Sequence, residues 1–204
     1  MTYKNLTKLA IYRKIILGSA SPRRLDLLKE TGIEFRQQVS DFVEHNNDGG
    51  RPYEYAQKLA EEKALSVANT TSLMELVIGA DTVVVLDNCV IGKPVNKDDA
   101  ARILKRLSGN KHTVCSALAL AEKKKIIASG YELTDVFFNR VTDEQIAQYI
   151  ETGEPLDKAG AYGIQGMGGF LVDRIEGNLD TVVGLPRQLL ERLAGEVCVK
   201  LKKN

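Results

Sequence analysis

The chain has 204 residues, enough for one domain or two small lobes sharing a core, and its 44% hydrophobic and 27% charged residues are those of an ordinary soluble globular protein. Lys plus Arg total 28 against 27 Asp plus Glu, so the net charge of +1 gives no global basic field for DNA or RNA, and any anion must meet charge gathered locally. No apolar run approaches the ~20 residues of a membrane span, and Met1–Lys14 lacks a signal-peptide core, which predicts a cytoplasmic protein with no membrane or nucleic-acid partner. Cys89, Cys115 and Cys198 fit no zinc spacing and cannot all pair, so they are read as inert thiols in a reducing compartment.

In chain order, residues 1–13 read as an N-terminal extension. Lys14–Gly18 is a short apolar run, predicted as a buried strand. Ser21 caps the next helix with Pro22 at its first position, Leu25, Leu27 and Leu28 give its apolar positions, and Gly32 stops it. Ile33–Ser40 is predicted as a strand and Asp48–Gly49–Gly50 as a flexible loop. Pro52 to Ala68 reads as a helix, with Ala56, Leu59, Ala60, Ala64 and Val67 on one face. Leu76–Asp81 and Val83–Asp87 are apolar and β-branched, hence two strand segments, and Asn88 marks a turn. Asn96 caps a helix over Lys97–Leu107, ended by Gly109.

Thr113–Ala121 and Lys125–Phe138 form a predicted hairpin whose turn carries the charge run Lys123–Lys125. Thr142 and Gln145 make a capping box for another helix. Asp157–Gly169 is a glycine-rich connection of a length that is usually functional or disordered. Phe170–Ile175 reads as a strand and Pro186–Leu193 as the last helix. This order predicts an α/β fold, a mixed twisted sheet flanked by helices, with a smaller lobe around residues 89–139 and no clean linker.

Several segments carry chemistry. After Gly18 the strand turns into a helix at Ser21, so backbone N–H groups and the positive helix end face a turn bearing Ser19, Ser21, Arg23 and Arg24. Arg binds phosphate oxygens in a fork, yet the local pattern equally fits a plain Ser-Pro cap with two surface arginines. It is neither a GxxxxGK[ST] loop nor a GxGxxG turn. Asp81 lies between Leu76–Val77–Ile78 and Val83–Val84–Val85, and a carboxylate in a buried strand is costly without a partner or a task, so it is read as a metal ligand or a base for water, or else as a buried acid that caps a local turn. Lys63, Lys93 and Lys158 are each ordinary surface lysines in isolation and would form a polyphosphate site only by converging. Gln165, inside the glycine-rich stretch, has an amide that both donates and accepts, which suits reading a base edge or, equally simply, bonding to its own loop backbone. His45 and His112 lack ligand spacing, and His112 is read as structural.

Ser19–Arg24, Glu62–Lys63–Ala64, Gly79–Val84, Gly92–Lys93–Pro94, Asp157–Gly166 and Val183–Gly184–Leu185–Pro186 stand in an order that strongly resembles the Maf family of nucleoside triphosphate pyrophosphatases, also called septum formation inhibitors, from about Lys14 to Leu193. The resemblance implies an inosine triphosphate pyrophosphatase-like fold, two lobes around a deep cleft. It implies hydrolysis of a nucleoside triphosphate to monophosphate and pyrophosphate with Mg²⁺ or Mn²⁺, and a homodimer. By motif match Asp81 is similar to the proton acceptor. Arg23, Thr82 and Gln165 match specificity positions, and Ser19, Arg24, Lys63, Lys93 and Lys158 match phosphate contacts. Glu44 aligns with an acidic position that joins Asp81 at the metal, although Ser40–Asp41–Phe42–Val43–Glu44 departs from the family's more acidic run.

Ser21–Pro22–Arg23–Arg24, Ala80–Asp81–Thr82 and Ala161–Tyr162–Gly163–Ile164–Gln165–Gly166 resemble the dTTP and UTP branch rather than the 7-methyl-GTP branch. Modified uridine and cytidine triphosphates are further expected substrates. Ser116 and Asn178–Leu179–Asp180 depart from the family pattern outside the motif positions. The alternatives are a non-catalytic nucleotide-binding regulator of cell division and a purine, ITP-like house-cleaning pyrophosphatase.

Overall fold

The computed structural model describes residues 2–43 and 50–201. The elements are α1 (Lys4–Tyr12), β1 (Lys14–Leu17), α2 (Pro22–Lys29), β2 (Phe35–Gln37), α3 (Pro52–Ala68), β3 (Glu75–Leu86), β4 (Cys89–Ile91) and α4 (Lys97–Leu107). There follow β5 (Lys111–Glu122), β6 (Lys125–Phe138), α5 (Asp143–Glu151), β7 (Val172–Glu176), α6 (Leu179–Val183) and α7 (Arg187–Leu201). The sheet order is β2-β1-β3-β5-β6-β7, with β4 on β3. β1 is parallel to both β2 and β3, while β3–β4 and β6–β7 are antiparallel, so the sheet is mixed as expected. No described helix is long and apolar enough to cross a membrane.

The caps sit where the sequence puts them. The Ser21 hydroxyl accepts from the Arg24 amide, Asn96 Oδ1 from the Asp99 amide at 2.8 Å, and Thr142 and Gln145 close a capping box. Two turns use left-handed non-glycine residues. Asp87 and Asn88 join β3 to β4, and Lys123 and Lys124 join β5 to β6, each pair at positive φ as a tight two-residue hairpin turn requires.

Several expectations need correction. Residues 76–81 and 83–86 belong to one strand, β3, because Thr82 continues the extended backbone with no turn residue to interrupt it, and Asp87 belongs to the turn that follows. The Ile33–Ser40 strand is only Phe35–Gln37, since beyond Gln37 no β1 residue remains to pair with. Phe170 and Leu171 belong to a 3-10 turn ahead of β7, and α7 runs eight residues past Leu193 to Leu201. The segment ahead of β1 contains helix α1, whose Leu6 and Leu9 are buried and which packs on α7. The Glu191 carboxylate accepts from the Asn5 and Leu6 amides at 2.8 and 3.0 Å, satisfying orphan donors of the first turn of α1.

By contact the chain divides into two units. The first holds residues 1–81, 116–132 and 184–204; the second holds 82–115 and 133–183. The core of the second is built from β3, β4, α4, α5 and β6, through residues such as Val84, Ile103, Leu104, Val136, Phe138 and Ile150. Among the three free cysteines, Cys115 and Cys198 are buried and Cys89 is exposed.

Candidate active site

In the first unit, Gly79 decides how α3 meets β3. A Cβ there would lie 2.3 Å from the Ala60 carbonyl oxygen and 2.6 Å from the Ala64 Cβ, so only glycine lets the helix approach this closely. Asp81 lies two residues on, hence on the same face of β3. Lys63 sits beside Ala64 on the same helix. The outcome is a short ion pair, Lys63 Nζ to Asp81 Oδ1 at 2.5 Å, with both side chains largely withdrawn from solvent.

The Ser19–Arg24 turn comes to the same strand. Ser19 is 8% exposed, and its hydroxyl accepts from the Ser21 amide and from the Arg24 guanidinium, both at 3.2 Å. Arg24 also donates to the Ala80 carbonyl at 3.0 Å and, through Nε, to the Gly184 carbonyl at 2.9 Å. Gln37 on β2 donates to the Ser19 carbonyl at 2.7 Å. Arg24 thus ties the turn, the strand carrying Asp81 and the start of the last segment together. Arg23, one residue back and half-buried, has no such ties among the described residues. Ser19, Arg24, Lys63 and Asp81 are therefore one connected constellation, with Arg23 at its edge.

The other predicted residues lie in the second unit. Thr82 follows Asp81 on β3 with its side chain on the opposite face. Lys93 is exposed after β4, whose end is tied to the glycine-rich segment by the Gly160 amide donating to the Gly92 carbonyl at 3.1 Å. Lys158 Nζ is used locally, donating to the Glu154 carbonyl at 2.8 Å and to Asp157 at 2.6 Å. Gln165 is exposed. Glu44, predicted as a metal ligand, and His45 lie outside the described residues, as do Asp48 and Gly49.

Residues 157–169 are not structureless. Three 3-10 turns, Glu154–Asp157, Ala159–Ala161 and Met167–Leu171, shape this stretch. Beneath it, His112 Nε2 meets the Tyr162 hydroxyl at 2.8 Å, and both rings stack edge-on against Phe138. Burial pushes the His112 imidazole down to about 4, against a smaller opposing pull from Asp135, so it is a neutral core residue as read from sequence. Sequence reading missed Gln37, Tyr149 and Glu154. Their backbone partners, Ser19, Gly163, Met167 and Gly168, lie 13 to 18 residues away.

A hard divalent cation takes carboxylate oxygens, and Mg²⁺ commonly uses only one or two with phosphate oxygens and water completing its shell. Asp81 is a donor of that kind, and no cluster of three or more His, Cys, Asp or Glu occurs among the described residues. As a single carboxylate donor, Asp81 fits a cation that brings phosphate oxygens and water to the rest of its shell.

A family model described as Maf-like protein matches residues 14–197. A dTTP/UTP pyrophosphatase of Acetivibrio thermocellus is 45% identical over 197 residues, covering 93% of this chain and 98% of the relative. One of Aquifex aeolicus is 45% identical over 184 residues, covering 90% and 95%. The solved structure of a dITP/XTP pyrophosphatase from Mycobacterium abscessus aligns with 63% of this chain and 75% of its own at 16% identity and a TM-score of 0.41, a partial likeness only.

Proposed function

The chain belongs to the Maf family, and from that premise we propose that it is a nucleoside triphosphate pyrophosphatase that cleaves dTTP and UTP between the α and β phosphates. The observation that carries this reading is the buried Asp81 carboxylate, fixed by Lys63 and standing next to the carbonyl that the Ser19–Arg24 turn grips. The names carried by the relatives support the choice of substrates.

In this reading water adds to the α phosphorus, its proton passes to Asp81, and the α–β bridging oxygen leaves with pyrophosphate. Lys63 holds the carboxylate in one rotamer, so that it need not reorganise during proton transfer. Arg23, through its guanidinium and its own amide at the start of α2, and the Ser19 hydroxyl meet the phosphate oxygens. Arg24, being committed to Ala80 and Gly184, shapes that surface and adds its charge to it. Lys93 and Lys158 supply further charge for the leaving group, and Thr82 and Gln165 address the nucleoside. Asp81 and Glu44 would hold Mg²⁺ or Mn²⁺, which would supply neutralisation of the polyphosphate charge.

The test is a panel of UTP, dTTP, CTP, GTP and ITP with Mg²⁺, reading pyrophosphate and monophosphate together. Release of both from UTP and dTTP ahead of the purines is expected. Orthophosphate as product, or tight nucleotide binding with no turnover, would overturn it; the latter would indicate a nucleotide sensor.

A further inference from the structure

Glu154 opens the first 3-10 turn of the glycine-rich segment. Its Oε1 accepts from the Tyr149 hydroxyl at 3.0 Å and the Gly168 amide at 3.4 Å, and its Oε2 accepts from the Met167 amide at 2.8 Å. The Tyr149 hydroxyl in turn accepts from the Gly163 amide at 3.0 Å. Burial pushes the Tyr149 phenol up, which keeps it protonated and donating. One carboxylate therefore gathers, directly or through one hydroxyl, the amides of Gly163, Met167 and Gly168.

Gln165 lies between those anchors. The Gly166 amide donates to the Gly163 carbonyl at 3.3 Å and closes a four-residue turn with Ile164 and Gln165 at its centre. Both ends of that turn press on the carboxylate. A Cβ on Gly163 would lie 2.6 Å from Glu154 Oε1, and one on Gly166 would lie 2.5 Å from it. A Cβ on Gly168 would lie 2.5 Å from the Tyr149 hydroxyl oxygen. The glycines are there because the backbone closes on an acid.

We propose that Glu154 is a positioning residue for nucleotide recognition: its carboxylate fixes the Gly163–Gly166 turn and so the place from which Gln165 meets the base. This rests on the reading of the chain as a dTTP and UTP pyrophosphatase. The charge form matters because three donors converge on two oxygens. Glu154→Gln replaces one oxygen with an NH₂ group, sets donor against donor, and must release at least one of them.

The experiment compares wild type with Glu154→Gln for UTP turnover, for inhibition by tripolyphosphate, which has no base, and for hydrogen exchange over residues 163–168. The KM for UTP is expected to rise about tenfold, the scale of one charge-assisted hydrogen bond. kcat and the tripolyphosphate inhibition constant stay within about twofold, as for loss of uniform binding at the base. The Gly163, Met167 and Gly168 amides exchange faster. A purely structural role instead lowers kcat with KM unchanged, and that result, or unchanged exchange, overturns the proposal. If Glu154→Gln does not fold, Glu154→Asp, which withdraws the charge by one methylene, carries the same comparison. A wild type that releases no pyrophosphate from UTP sinks the underlying function instead, and exchange still decides whether Glu154 anchors the turn.

Discussion

In the Ser19–Arg24 turn a guanidinium holds oxygens: the Ser19 hydroxyl and the Ala80 and Gly184 carbonyls. In the glycine-rich segment a carboxylate holds hydrogens: the Tyr149 hydroxyl and the Met167 and Gly168 amides. Each turn is braced by a charge opposite to the dipoles it gathers, and in each the bracing residue is distinct from the one turned outward, Arg23 in the first and Gln165 in the second. The difference lies in what surrounds them. The first turn stands beside an ion pair, Lys63–Asp81, and is suited to charge and proton transfer. The second stands over neutral stacked rings, His112, Phe138 and Tyr162, and offers shape.

The largest effect tests whether chemistry resides in the first region alone. Asp81→Asn keeps an oxygen for Lys63 but cannot take a proton, so pyrophosphate release from UTP should fall about 10²–10⁴-fold, as for loss of a general base. The melting curve should stay two-state and close to that of wild type. Near-normal turnover would remove Asp81 from the chemistry.

Acid should break the second region first. Unfolded His112 takes a proton below its ordinary 6.5, whereas the folded imidazole does so only near 4. The unfolded state therefore binds more protons between those values, and stability falls as pH drops through that window, by about 3 kcal/mol in all. Urea denaturation at pH 7 and pH 5 measures the slope, and His112→Gln should flatten it. An unchanged slope in that variant would show that the imidazole does not carry the effect.

Arginine 24 and its neighbour sharpen the division between brace and contact. A lysine at 24 has no fork and cannot reach the Gly184 and Ala80 carbonyls together. Arg24→Lys should cost about 2 kcal/mol of unfolding free energy, the scale of a charge-assisted bond to buried carbonyls. Arg23→Lys should leave stability within about 0.5 kcal/mol and raise the KM for UTP. Equal stability losses at both positions would erase the distinction.

How much of this was legible in the sequence follows from how local each cause is. The caps at Ser21, Asn96 and Thr142 read correctly because a cap is chemistry among four consecutive residues. Asp81 stood out because a carboxylate among β-branched residues is locally anomalous. Helix α1 did not, since Leu6 and Leu9 acquire meaning only against α7, which begins at Arg187. Strand β4, at three residues, is too short to show a period. The ties of Arg24 to Ala80 and Gly184 were not legible, because those carbonyls are 56 and 160 residues away. Glu154 read as nothing, because an acid beside a proline resembles any surface turn until the Tyr149 hydroxyl and two amides close on it.

The smallest effect is the one that isolates the carboxylate from the loop it braces. Gly166 has φ −104°, which any residue adopts, so Gly166→Ala carries no backbone strain and its cost comes from the Glu154 carboxylate 2.5 Å away. That side chain is pinned by its donors and cannot swing aside without releasing them. An overpacking cost of about 1 kcal/mol is expected in unfolding free energy. In a Glu154→Ala background the obstacle is gone, and Gly166→Ala should become nearly neutral, leaving a coupling of about 1 kcal/mol between the two positions. An additive cycle would mean that the glycine serves some other neighbour, and the symmetry between the two braces would fail on its anionic side.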